Sequence, residues 1–282
     1  MPESTSRRDQ RRRSAAITPL ACVLLAVALV IGGELYSLDR PSPTPVATRG
    51  CMSDGRRLSV PMVGNSYTAS NDLPSMVAAI LCKSGLATSL RVDVQGLGGT
   101  LADWAARGGA RALAGYDLVV LQDQSQVPSF GEDNDAYLST LDALGPLGHA
   151  AEVAKSRLVL FQTWGHRHGD EANPQVSPNY EAMQLRLDDG YDDYLATVRE
   201  AGADADLAPV GDTWWSLYRD DRGLFDGLYD ADGSHPSAEG TYLAALVLAR
   251  VISGRPLPAR PWSPWLPFGN ARTLQSAARA AA

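Results

Sequence analysis

The sequence LSVPMVGNSYTAS, residues 58–70, contains the pattern that decides the fold. Its first half is a short apolar run, which predicts a buried strand over residues 58–64. Gly64 and Asn65 follow this run, and both residue types are common in tight turns. A longer amphipathic run at 73–85 predicts a helix. The chain therefore passes from a strand through a turn into a helix.

The same alternation continues along the chain. Further strands are predicted at 89–95, 116–122, 157–164 and 205–211, and further helices at 100–113, 133–155, 178–202 and 237–254. Strands separated by helical runs indicate βαβ units, and hence an α/β protein with a mainly parallel sheet covered on both faces. In such a sheet the ligand crevice lies at the carboxyl ends of the strands. The residues that follow each strand are therefore the candidates for function.

The overall composition excludes several classes of protein. The 282 residues are 45% apolar by type and 20% charged, as in an ordinary globular chain rather than a disordered or collagen-like one. A net charge of −7 argues against a nucleic-acid partner, because a face that binds phosphates must be basic. Three cysteines are too few for a zinc ribbon, and neither a P-loop nor a Gly-x-Gly-x-x-Gly motif follows a strand. We therefore expect no metal and no cofactor.

The amino-terminal region has the features of a membrane or export segment. Residues 1–14 form a basic tip whose five arginines outnumber Glu3 and Asp9, giving a local charge of +3 and leaving −10 for the rest of the chain. The uncharged run 15–33 would span about 28 Å as a helix, close to the thickness of a bilayer core. Residues 15–37 are therefore predicted to be an uncleaved signal anchor, with the tip in the cytoplasm and the rest of a single-pass protein outside. A cleaved signal peptide that releases a secreted protein is the alternative.

Three further segments follow. The proline-rich stretch 38–50 is predicted to be a semi-rigid linker, 51–267 the folded domain, and 268–282 an Ala/Arg-rich tail that frays. Cys51 and Cys82 are the only cysteines beyond the apolar segment. Since an oxidising compartment permits disulfides, a bond between these two cysteines is predicted, tying the start of the domain to its first helix.

Candidate catalytic residues lie at the two ends of the predicted domain. Ser66 follows the first strand in a turn that can present its hydroxyl at the top of the sheet. Asp232 and His235 precede the last helix, and a spacing of three lets their side chains meet within one turn. A serine nucleophile needs a base to take its proton and a carboxylate to orient that base. The three residues supply that set.

These motifs, with the α/β pattern between them, resemble the SGNH (GDSL-like) hydrolase family over residues 56–255. The resemblance implies a three-layer α/β/α flavodoxin-like fold and the hydrolysis of carboxylic esters. It also implies Ser66 as nucleophile, His235 as base and Asp232 as the acid that orients the base. The Gly-Asp-Ser of the family's first block reads Gly-Asn-Ser here.

The resemblance also implies an oxyanion hole. In the family it consists of the serine N–H, a glycine after the second strand and an asparagine after the third. Here Ser66 and either Gly98 or Gly99 match the first two positions. The third block lacks the asparagine and is rich in glutamine, so Gln124 is the predicted donor and Gln122 the competing one.

Other residues at the strand ends are candidates for contact with substrate. Trp164 follows the fourth strand and is predicted to stack on a sugar ring or to line an acyl pocket, and Asn65 is predicted to contact the substrate beside the nucleophile. The residues His166, His168 and Asp170 come next. They are interpreted as a solvated surface loop, with a metal site as the alternative.

Three functions fit these features. The first is an extracytoplasmic esterase acting on a short acyl or acetyl ester, which could be an acylated glycan. The second is an acyltransferase acting on cell-envelope polysaccharide. The third is a non-catalytic carbohydrate-binding domain that has lost its oxyanion donor.

Overall fold

The computed structural model describes residues 58–87, 90–264 and 266–281. Its sheet has five strands, all parallel, in the order β2-β1-β3-β4-β5. They are β1 (Leu58–Gly64), β2 (Leu90–Gly96), β3 (Leu118–Leu121), β4 (Arg157–Phe161) and β5 (Ala205–Ala208). This is the flavodoxin-like order, in which the ligand crevice lies where the strand order reverses, between β1 and β3.

The helices connect these strands as βαβ units. They are α1 (Ser66–Ala69), α2 (Leu73–Lys83), α3 (Leu101–Ala106), α4 (Gly109–Ala112), α5 (Asp135–Ala154), α6 (Tyr180–Glu200), α7 (Val210–Asp220), α8 (Arg222–Gly227), α9 (Ala238–Ser253) and α10 (Phe268–Ala280). The helix α1 is a single turn that begins directly after β1.

Two hydrophobic cores lie on opposite faces of the sheet. Alternate residues of β3 show the division, since Leu118 and Val120 belong to one core and Val119 and Leu121 to the other. Buried side chains of α2, α7, α9 and α10 complete the first core, and those of α3, α5 and α6 complete the second. The predicted parallel sheet with helices on both faces is confirmed.

The helix α9 is the central element of the first core. Most of its residues are buried, including every one from Gly240 to Ala249. Ser237 caps its amino terminus by accepting a hydrogen bond from the Gly240 N–H. A side chain at Gly240 would collide with the carbonyl oxygen of Leu228. This close approach fixes the start of α9, and with it the segment that carries Asp232 and His235.

Two predicted strand ends were wrong. The strand predicted at 205–211 ends at Ala208, because Val210 already begins α7. The strand predicted at 157–164 ends at Phe161. The Gln162 N–H still donates to the Ala208 carbonyl at the end of β5, but its side chain bonds to Asp188, and the Thr163 hydroxyl donates to the Ser125 carbonyl.

The prediction of a fraying tail over 268–282 was also wrong. Residues 268–280 form α10, in which Ala271, Leu274 and Ala278 are buried against the first core. Their spacing of three and four residues places them on one face of a helix, which explains why an Ala/Arg-rich segment packs.

Several predictions concern residues outside the described ranges. The basic tip 1–14, the segment 15–37, the linker 38–50 and Cys51 all lie there, and they stay predictions. Cys82 on α2 is disulfide-bonded, but the identity of Cys51 as its partner stays a prediction. Within residues 58–87, 90–264 and 266–281, no helix has both the length and the apolar character needed to cross a bilayer.

Candidate active site

The structure brings the three predicted catalytic residues together. The Ser66 Oγ lies 2.8 Å from the Nε2 of His235, and the Nδ1 of His235 lies 2.6 Å from an Oδ atom of Asp232. The side chain of Ser66 is exposed at the carboxyl edge of the sheet. This continuous chain of hydrogen bonds is the geometry that a serine nucleophile requires of its base and its acid.

Local sequence explains where Ser66 lies. Asn65 has an extended backbone and caps α1, because its Oδ1 accepts a hydrogen bond from the Tyr67 N–H at 2.9 Å. Ser66 is thus the first residue of the helix, where backbone N–H groups have no partner within the helix. Asn65 therefore has a capping role, which the prediction of substrate contact did not include.

Asp232 is held by the turn that it begins. Its Oδ1 accepts hydrogen bonds from the N–H groups of Ser234 and His235, each at 2.9 Å. Desolvation acts to raise the pKa of Asp232, but these two bonds and the bond to the His235 ring outweigh it. The pKa of Asp232 therefore lies below its ordinary value, and the carboxylate stays ionised at neutral pH.

The loop between β4 and α6 supports this turn from below. The Arg167 N–H donates to the Gly233 carbonyl at 2.8 Å, and the Trp164 Nε1–H donates to the Ser234 carbonyl at 3.1 Å. The Tyr229 hydroxyl donates to the Gly165 carbonyl at 2.6 Å. Arg167, which the sequence analysis did not single out, thus joins the loop after β4 to the turn that carries Asp232 and His235.

The prediction that Trp164 contacts substrate was wrong. Its side chain is fully buried, with its ring stacked between Tyr67 at 4.7 Å and Trp214 at 4.1 Å between centroids. The chain after β4 turns this ring inward, so that it supports Tyr67, the residue beside the nucleophile. Tyr67 was missed by the sequence analysis, although its position next to Ser66 was a signal.

Gln122 is excluded as the oxyanion donor. It is fully buried, and its Oε1 accepts hydrogen bonds from the Asn65 N–H at 3.0 Å and from the Thr68 hydroxyl at 2.8 Å. Its amide nitrogen donates to the Asp123 carbonyl. Gln122 therefore ties the end of β3 to the nucleophile turn and does not face the crevice.

Gln124 is partly exposed and remains the candidate amide donor. Its Oε1 accepts from the Gln126 N–H at 2.8 Å, which fixes the orientation of the amide. Its Nε2 donates one hydrogen to the Gln126 side chain at 3.2 Å. Because an amide nitrogen carries two hydrogens, a second N–H remains for a substrate oxygen.

Gly98 and Gly99 follow β2 and both have positive φ values, of 58° and 131°. A side chain at Gly99 would collide with the carboxylate of Asp103, which accepts from the Thr100 N–H at 2.8 Å and so closes the start of α3. Backbone shape therefore requires glycine here, and both residues are exposed beside the crevice.

The loop 166–170 was predicted to be solvated, and this was wrong for two of its three candidates. Asp170 is buried and accepts hydrogen bonds from the Ala172 N–H at 3.0 Å and from the Asn173 side chain at 2.7 Å. Burial lowers the pKa of His166, and only His168 is exposed. Within the described part of the chain, no group of three or more acidic, histidine or cysteine side chains could hold a metal ion.

A polar cleft of about 160 Å³ adjoins the acid of the triad. Asp232 and Gly233 form one side of it, and His166, His168 and Glu171 line the other. Asp232 is the one residue of the predicted triad that lines this cleft.

Comparison with known proteins gave matches among solved structures. No family model and no curated protein matches the chain. A Slackia heliotrinireducens protein assigned to the SGNH hydrolases is 30% identical, with a TM-score of 0.54, over 70% of this chain and 100% of that one. A DUF4886 family protein from Bacteroides uniformis is 17% identical, with a TM-score of 0.60, over 79% of this chain and 94% of that one. A catalytic mutant of an acetylxylan esterase from Geobacillus stearothermophilus is 16% identical, with a TM-score of 0.51, over 74% and 100%. The last two show a shared fold.

Proposed function

The chain belongs to the SGNH hydrolase family, and from this we propose that it is a serine esterase that hydrolyses short acyl esters. The observation that carries the proposal is the unbroken hydrogen-bond chain from the exposed Ser66 Oγ through His235 to Asp232. Such a chain lets a weakly nucleophilic hydroxyl attack a carbonyl at neutral pH.

The geometry supports the following reaction. His235 Nε2 takes the hydroxyl proton as Ser66 Oγ bonds to the carbonyl carbon, and Asp232 stabilises the resulting imidazolium. The negative charge that develops on the carbonyl oxygen is stabilised by three hydrogen-bond donors, namely the N–H of Ser66, an N–H of the Gly98–Gly99 loop and the Gln124 amide. His235 then gives its proton to the leaving alcohol. Water, activated by the same imidazole, releases the acid and restores Ser66.

An acylated glycan is the substrate class that we propose. The cleft beside Asp232 is polar, with imidazole and carboxylate side chains from His168 and Glu171 at its rim. Such groups form hydrogen bonds with sugar hydroxyls. A neighbour of the same fold is an acetylxylan esterase, which agrees with this class.

We propose that the protein lies outside the cytoplasm, either anchored by residues 15–37 or secreted after their removal. The uncharged run beside five arginines supports this location. The disulfide at Cys82 also supports it, because disulfides persist in oxidising compartments.

The test of esterase activity is hydrolysis of p-nitrophenyl acetate by the full-length chain. Ser66→Ala should abolish hydrolysis and covalent labelling by a fluorophosphonate. Ser75→Ala, the same change on the neighbouring helix α2, should leave both intact. An unchanged rate in Ser66→Ala would falsify the proposal.

Transfer of an acyl group to a polysaccharide uses the same triad and is the second candidate. The exposure of Ser66 favours it as well, since a sugar hydroxyl can reach the acyl-enzyme as water does. Incubation with a labelled acetyl donor and a glycan separates the two functions. Labelled glycan indicates transfer, and labelled free acetate alone indicates hydrolysis.

A further inference from the structure

Asp123 is a buried carboxylate between two loops that flank the nucleophile turn. It is the second residue after β3, and its side chain is 0% exposed. Its Oδ1 accepts two backbone hydrogen bonds, from Leu101 at 2.7 Å and from Gln124 at 2.8 Å. Its Oδ2 accepts a hydrogen bond from the Tyr194 hydroxyl at 2.9 Å. Burial of a charge is costly unless its hydrogen bonds are made, and here three donors surround it.

The two backbone donors belong to the segments that carry the oxyanion candidates. Leu101 begins α3, two residues after Gly99, and Gln124 is itself the candidate amide donor. A single oxygen atom therefore sets the spacing between the loop after β2 and the loop after β3. The preceding residue, Gln122, holds the Asn65 N–H in the same way. Each of the three segments that would surround a substrate oxygen is thus hydrogen-bonded to Gln122 or to Asp123.

We propose that Asp123 is a positioning residue that fixes the oxyanion donors relative to one another by accepting the N–H groups of Leu101 and Gln124. This rests on the proposed function. Oxyanion donors lower a barrier only when they are already in place before the charge develops. A charge-assisted hydrogen bond is roughly twice as strong as a neutral one, and so an ionised carboxylate holds the two loops more firmly than an amide would.

The ionisation of Asp123 supports this role. Burial raises the pKa of Asp123 to about 6, although the bonds from Leu101, Gln124 and Tyr194 favour the charged form. The carboxylate is therefore mostly ionised at neutral pH but at a cost to the fold. A residue present only to fill space would not carry that cost.

The test compares kcat and KM for p-nitrophenyl acetate among variants of the full-length chain. Asp123→Asn keeps an acceptor in place, and we expect its kcat within about fivefold of the wild type. Asp123→Ala removes the acceptor, and we expect kcat to fall by about 30-fold or more while KM stays within about twofold of the wild type. The minimum expected fall in kcat is smaller than the roughly 100- to 1000-fold fall that follows loss of a whole oxyanion donor. Asp206→Ala, a carboxylate change on the edge strand β5, should lower the melting temperature without lowering kcat.

Several outcomes would overturn the proposal. Equal kcat values for Asp123→Ala and Asp206→Ala would show that Asp123 serves stability alone. If the Ala variant fails to fold, Asp123→Glu replaces it, because that variant keeps the charge but displaces the acceptor. A Glu variant as active as the wild type also overturns the proposal, whereas a loss in Glu with activity kept in Asn supports it. The esterase function is tested separately by comparing the rate of the wild type with that of Ser66→Ala. Failure of the esterase proposal can therefore be distinguished from failure of the proposal for Asp123.

Discussion

The Tyr67 hydroxyl lies 2.5 Å from the Ser234 Oγ. This hydrogen bond joins the residue that follows Ser66 to the residue that precedes His235, although 167 positions separate them. The Tyr67 ring also packs at an angle against the His235 ring, with centroids 5.4 Å apart. Tyr67 therefore fixes the distance between the two halves of the catalytic set from beneath.

Tyr67→Phe should lower kcat by about 2- to 12-fold, because one hydrogen bond contributes about 0.5–1.5 kcal/mol. The stacked rings of Trp164 and Trp214 would remain, so the fold should be retained. Steady-state kinetics with p-nitrophenyl acetate measure the effect. The control is Tyr137→Phe in the second core, which removes a hydroxyl that donates to the exposed Asp193 and should change stability but not kcat. A wild-type kcat in Tyr67→Phe would contradict the expectation.

The same substitution at two glutamines separates their roles. Gln124→Glu keeps the oxygen that accepts from the Gln126 N–H but removes the amide donor, so kcat should fall by about 100- to 1000-fold with little change in stability. Gln122→Glu loses the bond to the Asp123 carbonyl in a buried position, so the free energy of unfolding should fall by about 1–3 kcal/mol. Kinetics and urea unfolding of both variants distinguish the two effects. The reverse pattern would contradict the assignment of Gln124 as the donor.

The stability difference between Asp123→Asn and the wild type should depend on pH. Because the pKa of Asp123 is about 6 in the fold and lower in the unfolded chain, the folded wild type binds more protons between these values. The contribution of the Asp123 carboxyl to the free energy of unfolding of the wild type is therefore highest below about pH 4, and it declines as the pH rises to about 6. The Asn variant lacks this decline, so its relative stability should increase over that window and then level off. Urea unfolding from pH 4 to pH 8 measures the difference, and a constant difference would refute the prediction.

The carboxy-terminal helix should contribute to the stability of the domain. Leu274 on α10 is fully buried, so Leu274→Ala should lower the free energy of unfolding by about 2–5 kcal/mol. Ser276→Ala, an exposed change on the same helix, should have almost no effect. Chemical denaturation of the full-length chain checks both values. Similar stability for the two variants would mean that α10 does not pack as described.

The sequence sufficed to predict the parallel sheet and the proximity of Ser66, His235 and Asp232. Both depend on short-range patterns, namely the alternation of strands and helices and the spacing of Asp232 and His235. Position after a strand does not determine the direction of a side chain, which is why Trp164 was predicted in the crevice and lies in the core.

Contacts between residues distant in the chain could not be predicted from the sequence, for a related reason. The bond between Asp123 and Leu101 depends on the packing of two loops, and nothing local to Asp123 identifies its partners. The segment 268–282 shows a different limit. Its composition suggested a frayed tail, whereas the spacing of Ala271, Leu274 and Ala278 was the informative signal.

The hydrogen bond between Ser66 and His235 spans 169 positions of the chain. During synthesis, β1 and the turn with Ser66 emerge long before the segment that carries His235. The helix α9, the centre of the first core, emerges later still, and only α10 follows it among the helices and strands described. A nascent or truncated chain thus holds its serine without a base to activate it. In the proposed mechanism, Ser66 becomes reactive only when the segment that carries His235 has docked, so labelling of Ser66 by a fluorophosphonate would report the completion of folding.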